Sequence, residues 1–276
     1  MAVNIATLYH DGRCWQGATA SRVGGWRMRD CVGDSLTTET LLIDRRFHGP
    51  PESGNGGYVC GLLAQFIDGA AAVRLRVPPP LSTNLEVRRA KGSAALFDGD
   101  ALIAEARPAT VEIEPIQSLS YEEADAASRR FRGFDSHWFP SCFVCGPDRD
   151  PGDGLCIFPG PVEGRDLVAS PWIPDPSLSS VKNVVAPEFL WAALDCPGAF
   201  SFVEPTQAVV LLGELQVALM GEISVGERCV VVAWELSHQG RRHHTATALF
   251  GEAGACRGIG LGTWFEVAPD AAKGAV

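Results

Sequence analysis

Residues 187–198, PEFLWAALDCPG, and residues 53–72, SGNGGYVCGLLAQFIDGAAA, are the two stretches that decide the fold. Both are mostly apolar, and each begins with a recognisable start signal. The first has Pro187 at the position that favours the first turn of a helix, and the second opens with glycines. The pattern predicts helices over residues 57–72 and 187–196, with Pro197-Gly198 ending the latter.

Valine-rich, alternating runs separated by Asp-Gly or Gly-Glu turns follow each of these helices and predict strands. The predicted strands cover residues 72–77, 84–90, 93–97 and 101–106 after the first helix, and 208–219, 228–236, 244–250 and 255–266 after the second. The letters also repeat, since ALF at 95–97 followed by DGDALIAEA resembles ALF at 248–250 followed by GEAGACRGI. The sequence therefore predicts an α+β protein of two tandem units, each wrapping an antiparallel sheet around a helix. The predicted boundaries are an N-terminal unit with a leading segment (1–117), a polar linker (118–137) and a C-terminal unit (138–276).

Composition sets the broad class. The 276 residues are 46% hydrophobic and 20% charged, which is enough apolar material for a sizeable core. Acidic residues outnumber basic ones by 33 to 23. This balance argues against nucleic acid and anionic membranes as partners, because phosphate binding needs a basic surface.

Targeting signals are not evident. The first thirty residues lack the apolar region of a signal peptide, and the most apolar stretch, 208–221, is interrupted by Gly213, Glu214 and Gln216. The nine cysteines follow no disulfide-framework spacing, as is typical of reduced thiols. We expect a cytoplasmic protein.

Two carboxylates mark the second predicted helix. Glu188 and Asp195 are seven residues apart and so share one helix face. Glu188 is explained by the helix dipole, which favours an acid in the first turn. Asp195 is predicted in the last turn, where the dipole disfavours an anion and the apolar context raises its desolvation cost. Such a carboxylate either binds a local loop amide or takes part in chemistry.

The glycines at 53–57 permit two interpretations. A helix start without side chains exposes backbone N–H groups that suit a phosphate or a developing oxyanion. Alternatively, the glycines serve a tight turn that needs positive φ.

The order of these motifs resembles a known family. A glycine pair entering an apolar helix, followed by AVRLRVPPP at 72–80 and DGD at 98–100, is similar to the hotdog fold of acyl-CoA thioesterases. CFVCGPDRDPGDGL at 142–155 resembles a lead-in found in phenylacetate-degradation-type members. The resemblance covers about 40–115 and 140–267 and implies a double hotdog, an intrachain pseudo-dimer of two hotdog units.

The resemblance also implies where the reaction takes place. In the family, a helix-start glycine of one unit donates its amide to the thioester carbonyl, and an acid two turns into the other unit's helix acts as base or nucleophile. The first unit here supplies Asn55, Gly56 and Gly57 but has Ala64 at the acid position. The second unit has Asp195 at the acid position, but Ala-Pro-Glu at 186–188 replaces the glycine entrance. One composite site is therefore expected to retain both parts.

Roles follow from this assignment. Asp195 would activate water or attack the acyl carbon, the Gly57 amide would stabilise the oxyanion, and Asn55 would hold a water or the thioester oxygen. Acyl-CoA or a related thioester is the expected substrate, and a homo-oligomer of the pseudo-dimer is possible. Candidate substrate-binding residues are Gln65, Glu188 and Trp191, with Arg74 and Arg76 for the coenzyme A phosphates.

Other chemistries are weighed against this one. Cys142-x-x-Cys145, with Cys156 and His137 nearby, is suggestive of zinc, but one C-x-x-C without a second pair is weak evidence, so no metal and no cofactor are expected. A non-catalytic acyl-ligand-binding protein remains an alternative. A hotdog hydratase is a weaker one, because His48 is the only histidine near either helix. A raised pKa of Asp195 would favour an enzyme, and an Asp195 carboxylate bound to a local amide would favour the binding protein.

Overall fold

The structure, a computed structural model, describes residues 4–10, 13–19, 27–29, 39–113, 116–179, 183–202 and 209–268. Three strands near the N-terminus, β1 (Asn4–His10), β2 (Arg13–Thr19) and β3 (Arg27–Arg29), form a small antiparallel sheet of their own. No strand was predicted there.

The remaining strands of the described residues form one antiparallel sheet in the order β4-β6-β7-β8-β5-β11-β14-β13-β12-β10-β9. At its middle, β5 pairs with β11, with Val73 opposite Leu215. These strands are β4 (Glu39–Leu42), β5 (Ala71–Leu75), β6 (Asn84–Ala90), β7 (Ser93–Asp98), β8 (Ala101–Pro108), β9 (Gly160–Pro161), β10 (Val168–Trp172), β11 (Val209–Leu219), β12 (Cys229–Gln239), β13 (Arg242–Phe250) and β14 (Cys256–Val267).

The α+β class predicted from the sequence is confirmed. All eight predicted strands are present as β5–β8 and β11–β14, with ends that differ by up to three residues. The short strands β4, β9 and β10 were not predicted, because runs of two to five residues carry little alternation.

Four α-helices accompany the strands in the described part of the chain: α1 (Gly56–Ala64), α2 (Tyr121–Ser128), α3 (Pro187–Ala193) and α4 (Cys196–Phe200). None of them has both the length and the apolar character needed to cross a membrane. The predicted linker contains α2, which begins with a capping box between Ser120 and Glu123. Ala124 and Ala127 of this helix are fully buried in an apolar cluster with residues of β10 and β12.

Helix α1 is shorter than predicted. It begins after Asn55, whose side chain caps the Tyr58 N–H, and it ends at Ala64 rather than near residue 72. The N–H of Ile67 bonds to the carbonyl of Ala64, a tighter three-residue spacing that closes the helix. Gly69, with φ of 76°, then turns the chain into β5.

The second predicted helix is broken. Helix α3 ends at Ala193, and the N–H of Asp195 bonds back to Ala192 with three-residue spacing. Pro197 lies in the first turn of α4, where a missing N–H is tolerated. The predictions that Asp195 lies in the last turn of one helix and that Pro197-Gly198 ends it were therefore wrong: Asp195 is the residue that joins α3 to α4.

Glycines let α1 and α3 pack closely. A Cβ added at Gly61 would lie 2.6 Å from the Glu188 Cα, and one at Gly57 would lie 3.0 Å from the Ala192 Cα. Both distances are shorter than an ordinary carbon contact of about 3.5–4.0 Å. The start of α3 meets the later part of α1 and the end of α3 meets its beginning, so the helices run antiparallel. This arrangement brings Asp195 to the start of α1.

Candidate functional site

The carboxylate of Asp195 is held at the start of α1. Its Oδ2 accepts a hydrogen bond of 2.8 Å from the backbone N–H of Gly57 and one of 3.2 Å from Nδ2 of Asn55. Its Oδ1 is buried and has no hydrogen-bond partner among the described residues. One carboxylate oxygen is therefore held by two donors, and the other is buried without a partner among the described residues.

Burial dominates the electrostatics of this carboxylate. Desolvation raises the pKa of Asp195 from its ordinary value to about 7, although the hydrogen bonds from Gly57 and Asn55 lower it. The amide that binds Asp195 belongs to α1, not to a local loop.

The Asn55 side chain both caps α1 and contacts Asp195. Its Oδ1 accepts the N–H of Tyr58 at 2.9 Å and so caps α1, which leaves Nδ2 to face Asp195. The same Nδ2 lies 3.6 Å from Sγ of Cys196 and 3.9 Å from Sγ of Cys142. Asn55 is only 2% exposed, so its orientation is fixed by these contacts.

The glycine entrance serves close packing, not an unusual backbone. Neither Gly56 nor Gly57 has a positive φ, and both belong to α1, so the tight-turn interpretation was wrong. The Gly57 amide is occupied by Asp195. The Gly56 amide precedes the hydrogen bonds of the helix, has no partner among the described residues and borders a cavity.

That cavity has a volume of about 320 Å³ and contains Asp195, Asn55 and Gly56 in its wall. This volume is in the range of small-molecule sites. Most of the remaining wall is apolar, and its aromatic members are Trp138, Phe139, Phe200, Trp264 and Phe265.

Three predicted substrate-binding residues lie away from the cavity. Gln65 donates a hydrogen bond of 3.1 Å to Glu188 at the opposite end of the helix pair. Desolvation raises the pKa of Glu188. Trp191 is buried against Gly61 and does not line the cavity.

The two predicted arginines are engaged in ion pairs. Arg74 contacts Glu214 at 3.0 Å, and Glu214 also binds Arg107 at 3.2 Å. Arg76 pairs with Glu105 and lines the cavity with a half-exposed side chain. Arg76 is therefore the better placed of the two to meet a ligand.

The sequence analysis named Cys142 and Cys145 as a weak zinc signal, and it missed Cys196. Cys142, Cys145 and Cys196 are buried, line the cavity and bring their sulfur atoms within 4.8 Å of one another. The predicted neighbour Cys156 instead contacts the carbonyls of Arg149 and Asp150. For Cys196, the signal available in the sequence was its adjacency to Asp195.

Comparison with solved structures identifies the fold. A candidate thioesterase II from Thermobifida fusca matches 86% of this chain and 94% of its own, with a TM-score of 0.55 and 13% identity. The acyl-CoA thioesterase II TesB2 from Mycobacterium marinum matches 84% of this chain and 93% of its own, with a TM-score of 0.53 and 13% identity. The tesB protein of Mycobacterium avium subsp. paratuberculosis matches 78% and 88%, with a TM-score of 0.52 and 10% identity.

No family model and no curated protein sequence matches this chain. The structural matches cover most of its length, and the resemblance predicted from the sequence is confirmed at the level of the fold. The protein has a hotdog-like α+β fold, which it shares with these thioesterase structures.

Proposed function

We propose that the protein hydrolyses an acyl-CoA thioester at one composite site formed by α1 and the α3–α4 junction. The observation that carries the proposal is the meeting of a buried carboxylate, Asp195, with the amide-rich start of α1 at the wall of an apolar cavity. The names of the similar structures support the same reaction class.

The chemistry assigns separate tasks to neighbouring groups. The amides of Gly57 and Asn55 hold Oδ2 of Asp195, so that the partnerless Oδ1 takes a proton from a water that attacks the thioester carbon. The Gly56 N–H donates to the carbonyl oxygen as negative charge develops on it. When the carbon–sulfur bond breaks, the proton returns from Asp195 to the departing thiolate. This assignment replaces Gly57 by Gly56 as the oxyanion donor, because the Gly57 amide is already bound.

We further propose that the chain is a double hotdog made of a unit at 1–117, a linker at 118–137 and a unit at 138–276. The sheet order supports this division: read outward from its middle, it runs β5, β8, β7, β6, β4 on one side and β11, β14, β13, β12, β10 on the other. Each half-sheet is thus built in the same sequence, and a helix, α1 or α3, precedes each meander.

The two ends of the helix pair differ as duplication and loss would predict. At one end, the glycine amides of α1 face Asp195. At the other end, Gln65 donates a hydrogen bond to Glu188, and in the described part of the chain no glycine N–H binds that carboxylate. One working site per chain is the result.

The test is thiol release from a panel of short, medium, long and aromatic acyl-CoAs. We expect Asp195→Asn to lower kcat/KM by about 10²–10⁴-fold, the usual contribution of a general base. Asp125→Asn is the matched control, because Asp125 pairs with Arg129 on α2, far from the cavity. It should leave the rate unchanged.

The other possible outcomes would point to other functions. Full activity in Asp195→Asn would refute the composite site. Acyl-CoA binding without thiol release in the wild type would establish the non-catalytic binding protein. Loss of the enoyl absorbance of an enoyl-CoA without thiol release would establish a hydratase.

A further inference from the structure

Three cysteines lie together beside the cavity, and one of them is distant from the other two in the sequence. Cys142 and Cys145 come from the loop before β9, and Cys196 begins α4. All three are buried, and their sulfur atoms lie within 4.8 Å of one another. The sulfurs of Cys142 and Cys196 are 3.8 Å apart.

The separation of the sulfurs fits a shared metal ion. Zinc–sulfur bonds of about 2.3 Å in a tetrahedral site place neighbouring sulfurs about 3.8 Å apart. A disulfide needs about 2.05 Å between the sulfurs, so Cys142 and Cys196 are not bonded, and their separation of 3.8 Å equals that of two ligands of one such ion.

The loop has the form of a metal-binding turn. In CFVCG at 142–146, the Gly146 N–H donates to the Cys142 carbonyl at 2.9 Å. A Cβ at Gly146 would lie 2.5 Å from that carbonyl oxygen, so the tight turn requires glycine.

Asn55 adds an outer partner. Its Nδ2 lies within 3.6 Å of the Cys196 sulfur and 3.9 Å of the Cys142 sulfur. Hydrogen bonds of this kind orient the ligands of metal sites. Cys142 and Cys196 would thus receive such support from the same side chain that caps α1.

We propose that Cys142, Cys145 and Cys196 bind one Zn²⁺ ion. Sulfur donors favour thiophilic ions of this kind over magnesium or calcium. No histidine, carboxylate or further cysteine of the described residues lies within 4.8 Å of all three sulfurs, and all three cysteines line the cavity. The fourth coordination position therefore faces the cavity, where a water or an atom of a bound molecule takes it, as in zinc sites that keep an open position.

The test uses the full chain and does not depend on thioesterase activity. The protein is incubated with ZnSO₄, dialysed and analysed for metal by mass spectrometry. We expect about one zinc per chain, and Co²⁺ in its place should give the intense visible absorption and sulfur-to-metal charge transfer of a tetrahedral thiolate site.

Single serine variants define the ligands. Cys145→Ser and Cys196→Ser should lose most of the bound zinc, whereas Cys156→Ser, whose sulfur lies outside the cluster, should retain it. The cobalt spectrum of the unaltered chain answers the question even where a variant does not fold.

Three results would overturn the proposal: less than about a tenth of a zinc per chain after incubation, a cobalt spectrum without charge transfer from sulfur, or full zinc retention in Cys196→Ser. A disulfide between two of these cysteines in freshly prepared, unreduced protein would also contradict it. Because metal content is measured directly, a failure here leaves the proposed hydrolysis untouched, and the reverse is also true.

Discussion

Replacing Gly57 by alanine tests how the fold and the site depend on the approach of α1 to α3. The added Cβ would lie 2.4 Å from the Asp195 Cβ, 2.9 Å from the Trp191 carbonyl oxygen and 3.0 Å from the Ala192 Cα. Two of these atoms are backbone and cannot rotate away. Restoring an ordinary contact of about 3.5 Å requires α3 to move by about 1 Å.

The free energy of unfolding should fall by about 1–3 kcal/mol from this overpacking, partly offset by the better helix propensity of alanine, worth about 1 kcal/mol. A movement of about 1 Å at the hydrogen bond between the Gly57 N–H and Asp195 should also lower acyl-CoA hydrolysis by about 10²-fold. Urea unfolding and thiol release measure the two effects on the same preparation.

Gly56→Ala is the matched control. A Cβ there would lie 2.9 Å from Cδ2 of Leu212 and 3.3 Å from Cδ1 of Leu75, which are the ends of flexible side chains. We expect this variant to lie within about 1 kcal/mol of the wild type, because small side-chain adjustments relieve the contact. Gly56→Ala is a control for stability alone, because Gly56 lines the cavity and is the proposed oxyanion donor. If Gly57→Ala is as stable as Gly56→Ala and as active as the wild type, the argument that helix approach positions Asp195 is refuted.

Three further predictions concern buried or paired carboxylates. The pKa of Asp195 is raised to about 7, so the free energy of unfolding falls as pH rises from about 4 to 7, because Asp195 ionises first in the unfolded chain. The stabilisation gained by Asp195→Asn should therefore be greater at pH 8 than at pH 4, by on the order of 4 kcal/mol. Urea unfolding at the two pH values measures this difference. An equal gain at both pH values would contradict the burial argument. The raised pKa of Glu188 predicts that Glu188→Gln also stabilises the protein more at high pH. Its melting temperature should exceed that of the wild type by more at pH 8 than at pH 5, and a smaller gain at pH 8 would disprove this prediction. Glu214→Gln should lower the free energy of unfolding by about 1–3 kcal/mol, because it weakens the contacts of Arg74 and Arg107 across the middle of the sheet, and an unchanged urea midpoint would show that these pairs add nothing.

Local patterns were sufficient for β5–β8 and β11–β14, and they drew attention to Asp195. Alternation and turns predicted β5–β8 and β11–β14, because these signals are contained within each segment. Asp195 attracted attention because a carboxylate in an apolar segment is costly to bury unless it is hydrogen-bonded or has a functional role. The order of helices and strands, taken with a family resemblance, then led to the fold that the comparisons confirm.

Contacts between distant segments were beyond such patterns. At the break between α3 and α4, Asp195 accepts a hydrogen bond from the Gly57 amide, which is 138 residues away in the chain. The ion pairs of Arg74 and Arg76 likewise join separate strands. Cys142 and Cys196 are 54 residues apart, and only the folded chain shows that their sulfurs meet.

The position of Asp195 shows why the fold places the carboxylate at a helix junction and not within a helix. Inside a continuous helix, its backbone would have to follow the axis of α3, whereas the observed φ of −88° and ψ of −85° depart from helical geometry. The break between the helices gives the residue a direction of its own, toward the start of α1. There the absence of a side chain at Gly57 allows its backbone N–H to donate a hydrogen bond directly to one carboxylate oxygen of Asp195. The other carboxylate oxygen remains without a partner among the described residues. The same break makes Cys196 the first residue of α4 and places its sulfur beside Cys142, so a single departure from helical geometry positions both the carboxylate and the third cysteine.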